Sequence, residues 1–189
     1  MPADRRETRL EELRQLARGY PQDERLLEQL AECLYSQLCY HLRNAELNGQ
    51  SRRRNELLDE LRQLTVSYPR SQTIRAQLAR GLFDELSDSG ENGRLEQRDQ
   101  LLGELRQLSL ACPRDEVIGE QLARGLFNAL NYPTYGEMML HSPLLGELRG
   151  LAWAHPQLAA VREWAAKGLL KTLYDASQKG RTERKDSPQ

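Results

Sequence analysis

The sequence predicts an all-α protein, a solenoid-like stack of about four helical hairpins and eight helices. Three observations predict it. Among 189 residues there are 35 Leu against two Ile and three Val, with aromatic residues at only 6%, whereas strands draw on β-branched and aromatic side chains. The string Leu-Arg-Gln-Leu occurs at 13–16, 61–64 and 105–108, and Leu-Arg-Gly-Leu follows at 148–151. Each copy is followed at fixed offsets by a proline (Pro21, Pro69, Pro113, Pro156) and then by a box of small residues. The boxes read Leu30-Ala-Glu-Cys-Leu34, Leu78-Ala-Arg-Gly-Leu82, Leu122-Ala-Arg-Gly-Leu126 and Ala165-Ala-Lys-Gly-Leu169. Repeat spacings of 48, 44 and 43 residues are the signature of stacked supersecondary units.

Each copy reads as two amphipathic helices. In the first copy they cover 5–19, stopped before Pro21, and 23–47, ending at Asn48-Gly49. The second gives 52–67 and 72–88. Pro69 separates them, because proline lacks an N–H and clashes with the preceding turn. Ser71 is placed to cap the second of these, whose apolar stripe is Ile74, Leu78, Leu82 and Leu86. The third gives 94–111, with Leu101, Leu105, Leu108 and Cys112 on one face, and 115–131, capped by Asp115, with Ile118, Leu122, Leu126, Ala129 and Leu130. The fourth gives 142–154 and 158–177. One helical-repeat domain over 1–178 is expected, and the polar segment 179–189 is expected to be a disordered tail. Gly81, Gly125 and Gly168 fall in mid-helix, where glycine costs about 1 kcal/mol relative to alanine. Their shared register predicts a neighbouring helix backbone passing close by.

Composition also excludes functions. With 27 Lys+Arg against 28 Asp+Glu, the net charge is −1, so neither nucleic acid nor a membrane surface is an expected partner. No run approaches the ~18 apolar residues of a membrane span. The start carries no apolar secretory segment. Cys33, Cys39 and Cys112 fit neither a CxxC nor a zinc spacing, and read as small buried apolar residues of a reducing compartment. A cytoplasmic location is expected. His41, His141 and His155 lie in different repeats and form no ligand spacing, and there is no GxSxG, P-loop or dinucleotide turn. The expectation is a non-enzymatic protein with no cofactor and no metal.

The pattern proline, eight residues, Leu-Ala-x-Gly-Leu-Phe, then a helix ending Leu-x-x-Leu before another proline, resembles the tetratricopeptide repeat. Leu78-Ala79, Leu82, Leu101, Leu105, Leu108 and Pro113 occupy that family's places in one unit. Leu122-Ala123, Leu126, Leu148, Leu151 and Pro156 occupy them in the next. The resemblance covers about residues 5–177. It departs from the family in unit length, 34 residues there and 43–48 here, and in having Arg75 and Gly119 where an early Trp would stand. HEAT-like repeats are the alternative architecture. The resemblance implies stacked helical hairpins in which the helices that carry the small-residue boxes line a concave groove.

Function is then sought in positions that repeat without serving the core. Arg80, Arg124 and Lys167 share one place in three successive boxes, with Glu32 breaking the series. By the resemblance that place faces the groove, giving a basic row suited to a protein or peptide segment of acidic character. Pairing of each with a neighbouring Glu on a solvated face is the plainer alternative. Arg14, Arg62, Arg106 and Arg149 form a second series, for which inter-helix ion pairing is expected. Arg52-Arg53-Arg54 opens a helix at its positive end, so compensation is expected, from carboxylates of the preceding hairpin or else from an external anion. The connection Asn131–Pro143 carries Tyr132, Tyr135, Met138, Met139 and Leu140 where its counterparts are polar. These are either interface anchors or a segment folded back on the core. The expected function is an adaptor or scaffold that receives a partner's peptide or helix. A small inhibitor, such as a toxin immunity protein, is the alternative.

Overall fold

Proline and a short hydrogen-bonded corner shape every hairpin. In a computed structural model of the chain, residues 3–44, 50–132 and 143–185 are described, and they form eight α-helices with no strand among them. These are α1 (Ala3–Gly19), α2 (Glu24–Arg43), α3 (Gln50–Ser67), α4 (Gln72–Glu91), α5 (Leu95–Ala111), α6 (Glu116–Asn131), α7 (Pro143–Ala154) and α8 (Ala159–Lys185). The α1–α2, α3–α4, α5–α6 and α7–α8 corners are built alike. The amides of Tyr20, Tyr68, Cys112 and His155 donate to the carbonyls of Leu16, Leu64, Leu108 and Leu151 at 2.8–3.0 Å. In each corner the amide three residues further on then turns back onto that same residue's carbonyl. Asp23, Ser71 and Asp115 accept from the first free amides of α2, α4 and α6, as expected of N-caps. Leu158 holds this place before α8 and has no side-chain acceptor to offer.

Three boundaries differ from expectation. Helix α4 runs through Ser89-Gly90, and both residues are buried inside it. The chain reverses instead at Gly93, whose φ of 70° is a conformation open to glycine. Helix α8 continues to Lys185, so residues 179–185 are helical where a disordered tail is expected. The run Arg181-Thr-Glu-Arg-Lys185 contains no breaker, and Gly180 alone does not stop a helix already formed. Residues 186–189 lie outside the described residues. Helix α2 closes at Arg43, with the Asn44 side chain donating to the Tyr40 carbonyl at 2.7 Å, and 45–49 lie outside the described residues.

The helices stand in two rows. In the even row, α2, α4, α6 and α8 pack on one another in order, and each also packs on its neighbouring odd helices. In the odd row, α1, α3, α5 and α7 never bring their Cα atoms within 8 Å of each other. The box glycines explain the even row. A Cβ on Gly81 would lie 3.0–3.6 Å from the side chains of Leu38, Leu58 and Leu61. On Gly125 it would meet Leu86, Leu102 and Leu105, and on Gly168 Leu148, Leu145 and Leu130. Leucine tips, not the expected neighbouring backbone, fill the three notches. Leu34, Leu82, Leu126, Leu61, Leu105 and Leu148 are fully or almost fully buried around them, each contributing about 1.5–3 kcal/mol of apolar transfer.

The odd row is joined by charge. Arg14 reaches Glu60 through two contacts of 2.6 and 3.0 Å, Arg62 reaches Glu104 through two of 2.8 Å, and Arg106 reaches Glu147 at 2.8 and 2.7 Å. All three are forked pairs, the strongest geometry for guanidinium and carboxylate. The triple arginine at the start of α3 is compensated from three sides. Arg52 and Arg53 pair with Glu56 in their own helix, Arg53 also with Glu7 of α1, and Arg54 with Glu85 and Asp88 of α4. Only Glu7 belongs to the preceding hairpin, so that expectation holds for one partner in four.

Candidate functional site

A cleft of about 520 Å³ opens on the outer face of the even row, lined by Tyr35, Cys39, Leu42 and Arg43 of α2, Phe83, Asp84, Ser87, Asp88 and Glu91 of α4, and Arg124 of α6. The even helices supply these side chains because their opposite stripe is spent on the core. At the centre, the Tyr35 hydroxyl donates to Asp84 Oδ2 at 2.9 Å, and the Cys39 thiol lies 3.6 Å from the same oxygen. Burial raises the pKa of Asp84, and the bonds from Tyr35 and Cys39 hold back part of that rise. Burial also raises both the Cys39 thiol and the Tyr35 hydroxyl, with the Asp84 charge adding to the effect. A thiol pushed upward stays protonated near neutrality and is a poor nucleophile. The three groups form a hydrogen-bonded knot whose thiol is not an activated nucleophile.

Asp88, at the edge of the cleft, is held by Arg54 at 3.0 Å and by Arg94. Arg54 also lies 3.2 Å from Glu85, an ion pair without hydrogen-bond geometry, and both side chains are almost wholly inside. Burial raises Glu85 and the Arg54 charge opposes it. Removing one member of such a buried pair typically costs about 3–5 kcal/mol, so this cluster fixes α3 on α4 beneath the cleft.

Arg80, Arg124 and Lys167 fall at one register of α4, α6 and α8, each half-exposed. Their contacts are local. Arg80 approaches Gln77 at 3.4 Å and Arg124 donates to Gln121 at 3.0 Å. The Arg124 guanidinium also rests 4.1 Å from the centre of the Phe83 ring. Lys167 pairs with Glu163 one turn back and sits 4.0 Å from the Trp164 ring, which packs on Phe127. Among the described residues none of the three forms an ion pair with another helix, in contrast to Arg14, Arg62 and Arg106. Both Arg124 and Lys167 are thus cations laid on aromatic faces, a favourable contact of about 0.5–2 kcal/mol.

The structure places Tyr132 differently from an exposed anchor. It is half-buried just beyond α6, with its ring 3.1 Å from where a Cβ of Gly90 would stand, and its carbonyl accepts from the buried Arg98. Tyr135, Met138 and Met139 lie outside the described residues, as do Leu140 and His141. Cys33, Cys39 and Cys112 are free and only partly buried. His41 and His155 are half-buried, at the last turn of α2 and just past α7. Among the described residues no three His, Cys, Asp or Glu side chains gather as a metal would require, and no helix is long and apolar enough to cross a membrane. The sequence missed the Tyr35–Asp84–Cys39 knot, since Ser36 and Asn128 stand at the equivalents of Asp84 and no repeat signal marks it.

The fold thus defines the class: an all-α stack of four helical hairpins. Compared with known proteins, the chain matches no family model, no curated protein and no solved structure.

Proposed function

We propose that this chain is a non-enzymatic binding module that receives a segment of a partner protein along the exposed face of α2, α4, α6 and α8. The observation that carries this reading is the unequal treatment of charge on the two rows. Arg14, Arg62 and Arg106 of the odd row end on carboxylates of the next hairpin, whereas among the described residues Arg80, Arg124 and Lys167 on the even row have no such partner. Lys167 meets only Glu163 of its own helix, and Asp84, whose charge feels Arg124, already accepts from Tyr35, while Asp88 is held by Arg54 and Arg94. The basic row is left over, and it suits an extended or helical segment with acidic side chains at intervals of one hairpin. The aromatic rings of Phe83 and Trp164 beneath two of the cations supply apolar contact for that segment. A cytoplasmic adaptor of the tetratricopeptide-like kind is the form this reading takes.

The test is selection of binders from a displayed peptide library, followed by titration of the best acidic peptide. Reversal of Arg80, Arg124 and Lys167 to Glu changes the charge of the face by six units. Binding should weaken by about a hundredfold or more while circular dichroism stays unchanged, and wild-type binding should fall with salt as exposed charges are screened beyond about 8–10 Å. Wild-type affinity in the triple variant would rule this face out.

A further inference from the structure

The charged series of the odd row has two open ends. The sequence Glu-Leu-Arg recurs at 12–14, 60–62, 104–106 and 147–149, and the Arg of each copy reaches the Glu of the next. That leaves Glu12 at the first end and Arg149 at the last. Both are exposed, and neither has an ion pair among the described residues. The apolar series is open at the same last end. Leu169 and Leu173 of α8 stand at the repeat positions of Leu34, Leu82, Leu126 and of Leu38, Leu86, Leu130. Leu34, Leu82 and Leu126 are at most 1% exposed, but Leu169 is 41% and Leu173 68% exposed, with Leu170, Tyr174 and Trp153 also uncovered. Stacked-repeat proteins ordinarily close such a face with polar side chains. Here the last hairpin presents the same apolar face that α2, α4 and α6 bury under the following odd helix.

At the first end, Leu16 of α1 and Tyr20 just past it occupy the places of Leu64 of α3 and Tyr68 just past that helix. Leu64 packs against the core, and the Tyr68 hydroxyl donates to the Pro21 carbonyl of the preceding hairpin at 3.0 Å. Leu16 and Tyr20 are instead 49% and 64% exposed. We propose that α1 of a second copy of this chain docks on α7 and α8 of the first, head to tail, with Arg149 of one copy on Glu12 of the other. The docking repeats the register that the chain uses three times internally, so charge and apolar surface match together. Arg9 stands where Leu57, Leu101 and Leu144 stand in later copies, so the contact between copies is less apolar than an internal one and reversible. Because the joined faces are different, the association runs head to tail and adds copies as concentration rises.

Sedimentation of the full chain from about 1 µM to about 1 mM tests this, a range that captures weak association. The average mass should climb with concentration and fall with added salt. Arg149→Glu and Glu12→Arg should each weaken self-association by about tenfold or more. An equal mixture of the two variants should restore it, since each substituted side chain then faces its opposite on the other. Leu173→Ser should weaken association without touching either charge. A wild-type chain that stays monomeric throughout overturns the proposal. So does association that survives both reversals, or that responds to Arg149→Glu but not to Glu12→Arg, which would mark another occupant of the last hairpin.

Discussion

The two rows of helices are made by the same repeat and held by different forces. Even helices touch directly, because a glycine or cysteine in each box leaves room for leucine tips from the flanking helices. Odd helices stand apart, with a cleft of about 620 Å³ between α1 and α3 walled by Arg14, Glu60, Gln63 and Tyr68, and forked Arg–Glu pairs cross the gaps. The comparison teaches that one row supplies stability and the other supplies register. Apolar contact is strong but tolerant of sliding. A forked pair is weak in solvent but has only one good geometry.

The largest expected effect falls on the even row. Gly125→Leu would drive a branched side chain into Leu86, Leu102 and Leu105, which already lie 3.3–3.4 Å from the place of its Cβ. Overpacking of this kind costs about 3 kcal/mol, seen as a lower melting temperature by circular dichroism. An unchanged melting temperature would show that the notch is not where the stack is held. On the odd row, Arg106→Met should cost less than about 1 kcal/mol, because the Arg106 and Glu147 side chains are both about one-third exposed. A double-mutant cycle with Glu147→Gln measures the pair, and a coupling above that value would erase the contrast between rows.

The smallest effect is a pH dependence that separates the even row from the start of α3. Folding raises Asp84 and Glu85 above their ordinary values of 3.8 and 4.5. The native state therefore binds protons more tightly than the unfolded chain. Stability from these two groups rises as pH falls through their folded pKa values, and levels off below the ordinary ones. Glu56 acts oppositely: hydrogen bonds from Arg53 and Arg52 hold it low, so its contribution is lost as pH falls below about 4.5. The melting temperature should rise as pH falls toward about 4.5 and turn over in stronger acid, where Glu56 is protonated. Asp84→Asn should flatten the upper limb, and an unaltered limb would assign it to Glu85 alone.

Much of this was legible in the repeat. Pro21, Pro69, Pro113 and Pro156 mark all four corners, and Ser71 and Asp115 cap the helices they were expected to cap. The Glu-Leu-Arg triplets held the odd-row pairs in view, though the jump of one repeat between Arg and its Glu appears only when hairpins are stacked. Other features depend on distance in space. Gly81 announces a tight place, but the sequence does not say whether backbone or a leucine tip fills it. Gly90 has the look of a helix end, yet it lies inside α4, where a Cβ would meet Asn128 and Tyr132. The cleft knot joins Tyr35 to Asp84 across 49 residues, and nothing local to either residue foretells it.

The separation of the odd helices has a mechanical consequence. A bend that spreads the even edge must pull leucines out of their notches and expose apolar surface at several points together. A bend that spreads the odd edge stretches long side-chain ion pairs, two between α1 and α3 and one in each of the other gaps. The molecule is thus a beam with a stiff spine and a compliant margin, and salt, by weakening the pairs, softens the margin while leaving the spine unchanged.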